Sequence, residues 1–157
     1  MGLELGKMGV LLIEEDPIQR LIVREYLEIG NRYSVLEMLS LYSILATCEN
    51  PMPDMGIVLV DMDWSRVDTV DMILEIRRRN HLLPILGMSD CPSDLYGDSR
   101  LRGCPFGFIP KPFSPFQLNR SITATLRAHA AQEFRRTKTL RTQVVDRTGL
   151  RNREKVG

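Results

Sequence analysis

The sequence contains few cysteines, few aromatic residues and no long apolar run. The three cysteines, Cys48, Cys91 and Cys104, are odd in number and lack metal-ligand spacing, so we expect reduced thiols. No apolar stretch approaches the roughly 18 residues that a membrane-spanning helix needs. The N-terminal segment also lacks the apolar core of a signal peptide. We therefore expect a cytoplasmic protein that does not enter a membrane.

The remaining composition is that of a globular protein with an unevenly charged chain. Hydrophobic residues make up 43% and charged residues 26% of the 157 residues, which fits one domain with an appendage. Residues 132–157 hold eight Lys or Arg and three Asp or Glu, which leaves 13 basic and 17 acidic residues in the body. We therefore expect a domain at residues 7–130 and a basic tail, helix extension or linker at 131–157.

Five short apolar stretches recur along the chain, with helical patterns between them. They lie at residues 10–13, 33–38, 57–60, 84–88 and 106–109. The third, IVLV, is continuously apolar, as expected for a strand buried on both faces. After the first stretch, Asp16 can cap a helix that begins at Pro17 and ends near Gly30. This alternation predicts an α/β fold, a doubly wound parallel sheet with helices on both faces.

Polar residues follow four of the predicted strands. In VLLIEEDP the first strand runs directly into Glu14 and Glu15, while Asp61, Ser89 and Lys111 end the third, fourth and fifth strands. In such sheets the carboxyl ends of the strands gather at one edge, where ligands bind. Converging carboxylates suit Mg²⁺, which would offset their mutual repulsion. Asp61 is a candidate nucleophile towards a phosphoryl group, with Lys111 supplying positive charge and Ser89 a hydroxyl donor.

Four motifs in the order VLLIEEDP, IVLVDMD, PILGMSD and FGFIPKPF each end a predicted strand. Together they resemble the receiver domain of two-component response regulators, over about residues 8–130. The resemblance implies a five-stranded parallel sheet of order 2-1-3-4-5, as in flavodoxin-like folds, with five helices. It also implies a phosphoprotein that acts in phosphorelay signal transduction.

The resemblance implies a role for each matching residue in the metal and acceptor site. Asp61 looks like the phosphoacceptor, and Glu14 and Glu15 look like the acidic pair that binds Mg²⁺ with it. Asp63 stands where the family contacts the metal through a backbone carbonyl.

A second group of residues resembles the family's switch. Ser89 corresponds to the switch hydroxyl and Phe108 to the aromatic residue that turns inward on activation. Lys111 corresponds to the phosphate-binding lysine, and its bond to Pro112 is expected to be cis.

The implied function is to accept a phosphoryl group from a histidine kinase or phosphotransfer protein onto Asp61 and to switch a face that binds a downstream protein. Such a domain catalyses its own phosphorylation and dephosphorylation, so we do not expect an enzyme with an external substrate. The irregular apolar stripe of the tail leaves a homodimer open. The tail carries no recognition helix or zinc pattern, so nucleic-acid binding is not favoured.

Several positions depart from the family pattern. Ser65, Arg66 and Thr69 replace a usual Pro-Gly turn and a later glycine. Asp90, after the switch hydroxyl, stands where a small residue is usual, and its charge would repel a phosphoryl donor. We expect this inhibitory charge to slow phosphorylation unless Asp90 points outward. Without metal, we also expect at least one of the clustered carboxylates to bind its proton more tightly than usual.

Two alternatives remain at this point. A degenerate receiver would bind proteins without phosphorylation, which Glu15, Asp90 and the altered loop would favour. A phosphatase of the haloacid dehalogenase type also uses an aspartyl nucleophile, and Asp61-Met62-Asp63 fits its Asp-x-Asp motif. That motif belongs near an N-terminal strand, however, whereas Asp61 follows the third.

Overall fold

The computed structural model describes residues 6–104 and 106–148, in which strands and helices alternate. The strands are β1 (Met8–Ile13), β2 (Tyr33–Glu37), β3 (Met55–Asp61), β4 (Ile85–Ser89) and β5 (Gly107–Pro110). The helices are α1 (Pro17–Glu28), α2 (Leu41–Glu49), α3 (Thr69–Arg79), α4 (Pro92–Gly97) and α5 (Pro115–Thr148), with a 3₁₀ turn at Ser99–Leu101.

The five strands form one parallel sheet in the order β2-β1-β3-β4-β5. The predicted fold class and strand order are therefore confirmed. From β1 the chain moves outward to β2 and then returns to the other side of β1 to form β3. The strand order reverses at that point, so a crevice opens beyond the carboxyl ends of β1 and β3.

Alternating side chains divide the core into two layers, one on each face of the sheet. In β1, Val10 and Leu12 belong to one apolar cluster, whereas Leu11 and Ile13 belong to the other. Residues 57–60 of β3 alternate in the same way and are fully buried. Because both faces of these strands are covered, their sequences are continuously apolar rather than alternating with polar residues.

The first helix begins where its sequence signals predict. The Asp16 carboxylate accepts hydrogen bonds from the backbone N–H groups of Ile18 and Gln19 at 2.8 and 2.9 Å, and Pro17 is the first helical residue. Gly30, just past the end of α1, has φ +80°, a conformation that glycine adopts without strain. The Asp16 cap fixes the direction in which the chain leaves the end of β1.

The last helix, α5, continues past the predicted end of the domain. It runs without interruption from residue 115 to residue 148, and Phe134 on its extension is 73% exposed. The described residues thus include a helix extension, while the placement of a domain boundary at residues 130 and 131 stays a prediction. Within residues 6–104 and 106–148, no helix combines the length and apolar content needed to cross a membrane.

Gly87 in β4 offers a test of how tightly β4 and β5 pack. A Cβ atom built at Gly87 would lie 2.5 Å from Cδ1 of Phe108 and 2.8 Å from Cγ of Met62. We expect Gly87→Ala to lower the free energy of unfolding by about 1–3 kcal/mol, because a core ring must move. Urea denaturation measures the change. Gly97→Ala, which has open space around its Cβ position, is the control; an equal loss in both variants would contradict the packing argument.

Candidate functional site

A polar cleft of about 660 Å³ lies beyond the carboxyl ends of the central strands. Six acidic residues line it together with Lys111: Glu14, Glu15, Asp16, Asp61, Asp63 and Asp90. A slightly larger groove, about 740 Å³, lies between the end of α1 and the start of α5, but its lining contains no carboxylate. Of the residues that end the predicted strands, Glu14, Glu15, Asp61 and Lys111 therefore line the cleft, whereas Ser89 is buried and reaches Asp63 through its hydroxyl.

Asp61 is the last residue of β3 and is 5% exposed. Its Oδ1 accepts a hydrogen bond from Lys111 Nζ at 2.7 Å and another from the backbone N–H of Asp63 at 3.0 Å. Its Oδ2 receives neither of these bonds. One carboxylate oxygen is thus anchored, and the other is the candidate for attack on an electrophile in the cleft.

Lys111 is the cation that holds the carboxylates together. Its backbone N–H donates to the Ser89 carbonyl at 2.8 Å, which continues the pairing of β4 with β5, and its bond to Pro112 is cis, as the resemblance implied. Besides bonding Asp61, Nζ lies 3.5 Å from Glu14 Oε2 and 3.3 Å from Asp63 Oδ2. Burial favours the neutral amine, but the bond to Asp61 and the surrounding carboxylate charges outweigh it and raise the pKa of Lys111.

Glu14 is the most buried acid of the site, at 1% exposure. Its Oε1 accepts from the backbone N–H of Asp16 at 3.0 Å, whereas its Oε2 is buried without a hydrogen-bond partner. Burial, and next the negative charge of Asp61, raise the pKa of Glu14 to about 7. The structure therefore identifies Glu14 as the carboxylate with the expected increase in proton affinity.

Glu15 lies at the rim of the cleft. Its Oε1 is 3.2 Å from Arg66 Nε, and the Arg66 side chain is largely exposed. Arg66 is one of the residues that depart from the family pattern in the loop after β3. That substitution gives the second acid of the pair a cationic partner of its own.

The Asp63 side chain enters the site, which its expected backbone role did not anticipate. Its Oδ1 accepts from the Ser89 hydroxyl at 2.9 Å, and its Oδ2 accepts from the backbone N–H of Asp90 at 2.9 Å. Asp63 lies in the turn after β3, so the backbone of that loop, rather than the alternation of a strand, directs its side chain into the site. The Asp90 side chain itself is exposed.

Phe108 lies on β5, away from the acidic cluster. It pairs in register with Gly87, two residues before Ser89, and its ring covers the space that a Gly87 side chain would fill. The ring also meets Tyr96 of α4 edge to face, with centroids 5.3 Å apart. Phe108 thus links the β4 strand, which carries Ser89 at its end, to α4.

The carboxylate oxygens that line the cleft suit Mg²⁺, because hard cations prefer oxygen ligands. Glu14 Oε2 is buried without a hydrogen bond, and the ammonium ion 3.5 Å from it is shared with Asp61 and Asp63, so negative charge exceeds positive charge there. In the described parts of the chain, however, no three Asp, Glu, His or Cys side chains form a ready-made metal cluster. Lys111 and Arg66 hold these carboxylates instead, so the donor set fits the ion but is not preassembled around it.

The raised pKa of Glu14 predicts that the free energy of unfolding depends on pH when a chelator keeps the protein free of metal. The folded protein holds this proton more tightly than the unfolded chain, whose glutamates titrate near 4.5. Glu14 therefore contributes stability that is complete below pH 4.5 and is lost as the pH rises through about 7. We expect Glu14→Gln to remove this decline between pH 5 and 8, as measured by urea denaturation. An unchanged slope in the variant would contradict the assignment.

The comparisons with known proteins agree with the geometry. The family model for the response regulator receiver domain matches residues 10–123. No curated protein sequence matches the chain. Among solved structures, the receiver domain of a sensor histidine kinase from Pseudomonas aeruginosa PAO1, which has a magnesium ion coordinated in its active site cleft, is similar with a TM-score of 0.64. It is 18% identical, and the match covers 76% of this chain and 98% of that one.

Two further solved structures show the same fold. A response regulator receiver protein from Sinorhizobium medicae WSM419 has a TM-score of 0.65 at 17% identity, and the match covers 80% of this chain and 99% of that one. A CheY-like receiver domain protein from Methanospirillum hungatei JF-1 has a TM-score of 0.64 at 16% identity, covering 80% and 98%. The family match spans most of the chain, and the strand order and helix count agree with it. The chain therefore belongs to the response regulator receiver domain family.

Proposed function

We propose that this receiver domain accepts a phosphoryl group on Asp61 and thereby switches a protein-binding face. The observation that carries the proposal is the bond of 2.7 Å between Lys111 Nζ and Asp61 Oδ1, next to Asp63, whose carboxylate accepts from the buried Ser89 hydroxyl. A buried carboxylate with an ammonium ion beside it and a hydroxyl nearby has the groups that align and neutralise a transferring phosphoryl group.

In the transfer step, an Asp61 carboxylate oxygen forms a bond to phosphorus as the P–N bond of a phosphohistidine breaks. The electron pair of that bond stays on the leaving imidazole nitrogen, which takes up a proton. The product is an acyl phosphate on Asp61. The Lys111 ammonium stabilises the negative charge on the phosphoryl oxygens throughout.

Glu14, Glu15 and Asp61, with the backbone carbonyl of Asp63, would hold Mg²⁺. When bound, the ion would neutralise charge on the phosphoryl oxygens and on the clustered carboxylates. The Glu14 oxygen that accepts no hydrogen bond supports this assignment, because its cationic neighbour, Lys111 at 3.5 Å, is shared with Asp61 and Asp63. The magnesium ion in the cleft of the Pseudomonas receiver domain lends it further support.

The new negative charge on Asp61 would bias a two-state element. Ser89 ends β4, and Gly87 in the same strand underlies the Phe108 ring, which in turn contacts Tyr96 of α4. A movement of Ser89 towards the phosphoryl group would therefore be passed to the face formed by α4 and β5. This face would bind the downstream protein, and a histidine kinase or phosphotransfer protein of the same cytoplasm would be the donor. The chain would turn over no external substrate.

Phosphorylation is tested directly by intact mass spectrometry. We expect incubation of the full chain with acetyl phosphate and Mg²⁺ to add one phosphoryl group, and Asp61→Asn to abolish the adduct. Asp54→Asn, which changes an aspartate at the opposite end of β3, is the matched control and should retain it. An adduct that persists in Asp61→Asn would place the chemistry elsewhere.

Metal binding has its own readout in the single tryptophan, Trp64, which follows Asp63 and is largely buried. We expect a Mg²⁺ titration at pH 8 to change Trp64 fluorescence. Glu14→Gln should weaken binding by at least about tenfold, the effect seen even for residues that only support metal ligands. Glu25→Gln, which removes the same charge from an exposed site on α1, should bind like the parent. Equal affinities in all three proteins would rule out Glu14 as a ligand.

A further inference from the structure

The Asp63 carboxylate is bound by three different donors at once. Oδ1 accepts from the Ser89 hydroxyl at 2.9 Å, and Oδ2 accepts from the Asp90 backbone N–H at 2.9 Å. Oδ2 also lies 3.3 Å from the Lys111 ammonium. A hydroxyl, a backbone N–H and an ammonium ion that converge on one anion make an oxyanion-binding site.

These donors are also the ones that a phosphoryl group on Asp61 would need. Lys111 is already bonded to Asp61 and lines the cleft together with Asp90, and Ser89 ends the adjacent strand, β4, directly before Asp90. A phosphoryl group brings three oxygens that each seek hydrogen-bond donors. Asp63 therefore uses the donors that the modified Asp61 would require.

We propose that the Asp63 carboxylate is a built-in occupant of the phosphoryl-oxygen site, so that phosphorylation of Asp61 requires it to leave. This inference rests on the proposed function of Asp61. In the unmodified protein the side chain satisfies the donors and holds Ser89 and the Asp90 backbone near the acceptor. In the modified protein the phosphoryl oxygens replace it.

Two features make this occupancy reversible. The Asp63 side chain is 32% exposed, so it can rotate into solvent without crossing the core. It is also negatively charged beside Asp61, and a phosphoryl group on Asp61 would increase the repulsion between them. The cost of displacing Asp63 would appear as a reduced apparent affinity for phosphoryl groups, in proportion to the fraction of time that the site is free.

Beryllium fluoride, a phosphoryl analogue that binds an aspartate carboxylate together with Mg²⁺, measures this competition. Its affinity for the full chain can be followed by ¹⁹F NMR in four proteins: the parent, Asp63→Ala, Asp63→Asn and Asp90→Asn. Asp63→Ala empties the site, whereas Asp63→Asn removes the charge but keeps a side-chain oxygen that can accept from Ser89. Asp90→Asn removes one charge from the rim and leaves the Asp90 backbone N–H in place.

We expect Asp63→Ala to bind beryllium fluoride roughly tenfold or more tightly than the parent, as for a site that is free one-tenth of the time or less. Asp63→Asn should fall between these two proteins, and Asp90→Asn, which removes a charge from the rim but displaces no occupant, should gain clearly less than Asp63→Ala. Equal gains in Asp63→Ala and Asp90→Asn would show that general charge, rather than occupancy, limits binding. Equal affinities in the parent and Asp63→Ala would overturn the inference and leave the proposed function intact.

The Asp90 amide provides a second readout that does not depend on phosphoryl chemistry. The hydrogen bond to the Asp63 carboxylate should move the Asp90 amide proton resonance downfield and slow the exchange of that proton with solvent. We expect both features in the parent and their loss in Asp63→Ala. An Asp90 amide that is unchanged in Asp63→Ala would overturn the inference. If none of the four proteins binds beryllium fluoride, both the occupancy inference and the proposed function fail.

Discussion

The site depends on one ammonium ion placed among buried carboxylates. Lys111 Nζ lies within 3.5 Å of oxygens from Glu14, Asp61 and Asp63, which come from the ends of β1 and β3 and the loop after β3. Like charges held this close in a partly buried cleft repel strongly, so the arrangement requires a cation. Lys111 supplies one positive charge to three carboxylates, and burial, together with the negative charge of Asp61, still raises the pKa of Glu14. The remaining negative charge gives the cleft its suitability for a divalent ion.

The hydrogen bonds of Asp63 connect the carboxylate cluster to the rest of the fold. Asp63 obtains its partners from Ser89 and the Asp90 backbone, so the loop after β3 is tied to the end of β4. Gly87, two residues earlier in β4, leaves room for the Phe108 ring, which contacts Tyr96 of α4. The β4 strand, which ends at Ser89, is therefore connected to α4 through the Phe108 ring.

Much of the fold was predictable because local rules and burial act together. Continuously apolar stretches identified strands covered on both faces, and Asp16 with Pro17 marked the start of α1. The collection of Glu14, Asp61 and Lys111 at one edge followed from the geometry of parallel strands alone. The Asp63 side chain was not predicted to bind Ser89, and the Arg66–Glu15 pair was also missed, because loop backbone angles decide which way those side chains point.

The sequence by itself therefore determined the order of the elements, the caps and the chemical types that end each strand. Those features depend on hydrophobic periodicity and on interactions between residues a few positions apart. Only the tertiary structure decided which carboxylate takes which donor. Bonds such as Asp63 to the Asp90 N–H join segments 27 residues apart and require their atoms to meet within about 3 Å. The pairing of β3 with β4 and the path of the connecting loop set that distance, and no local pattern encodes it.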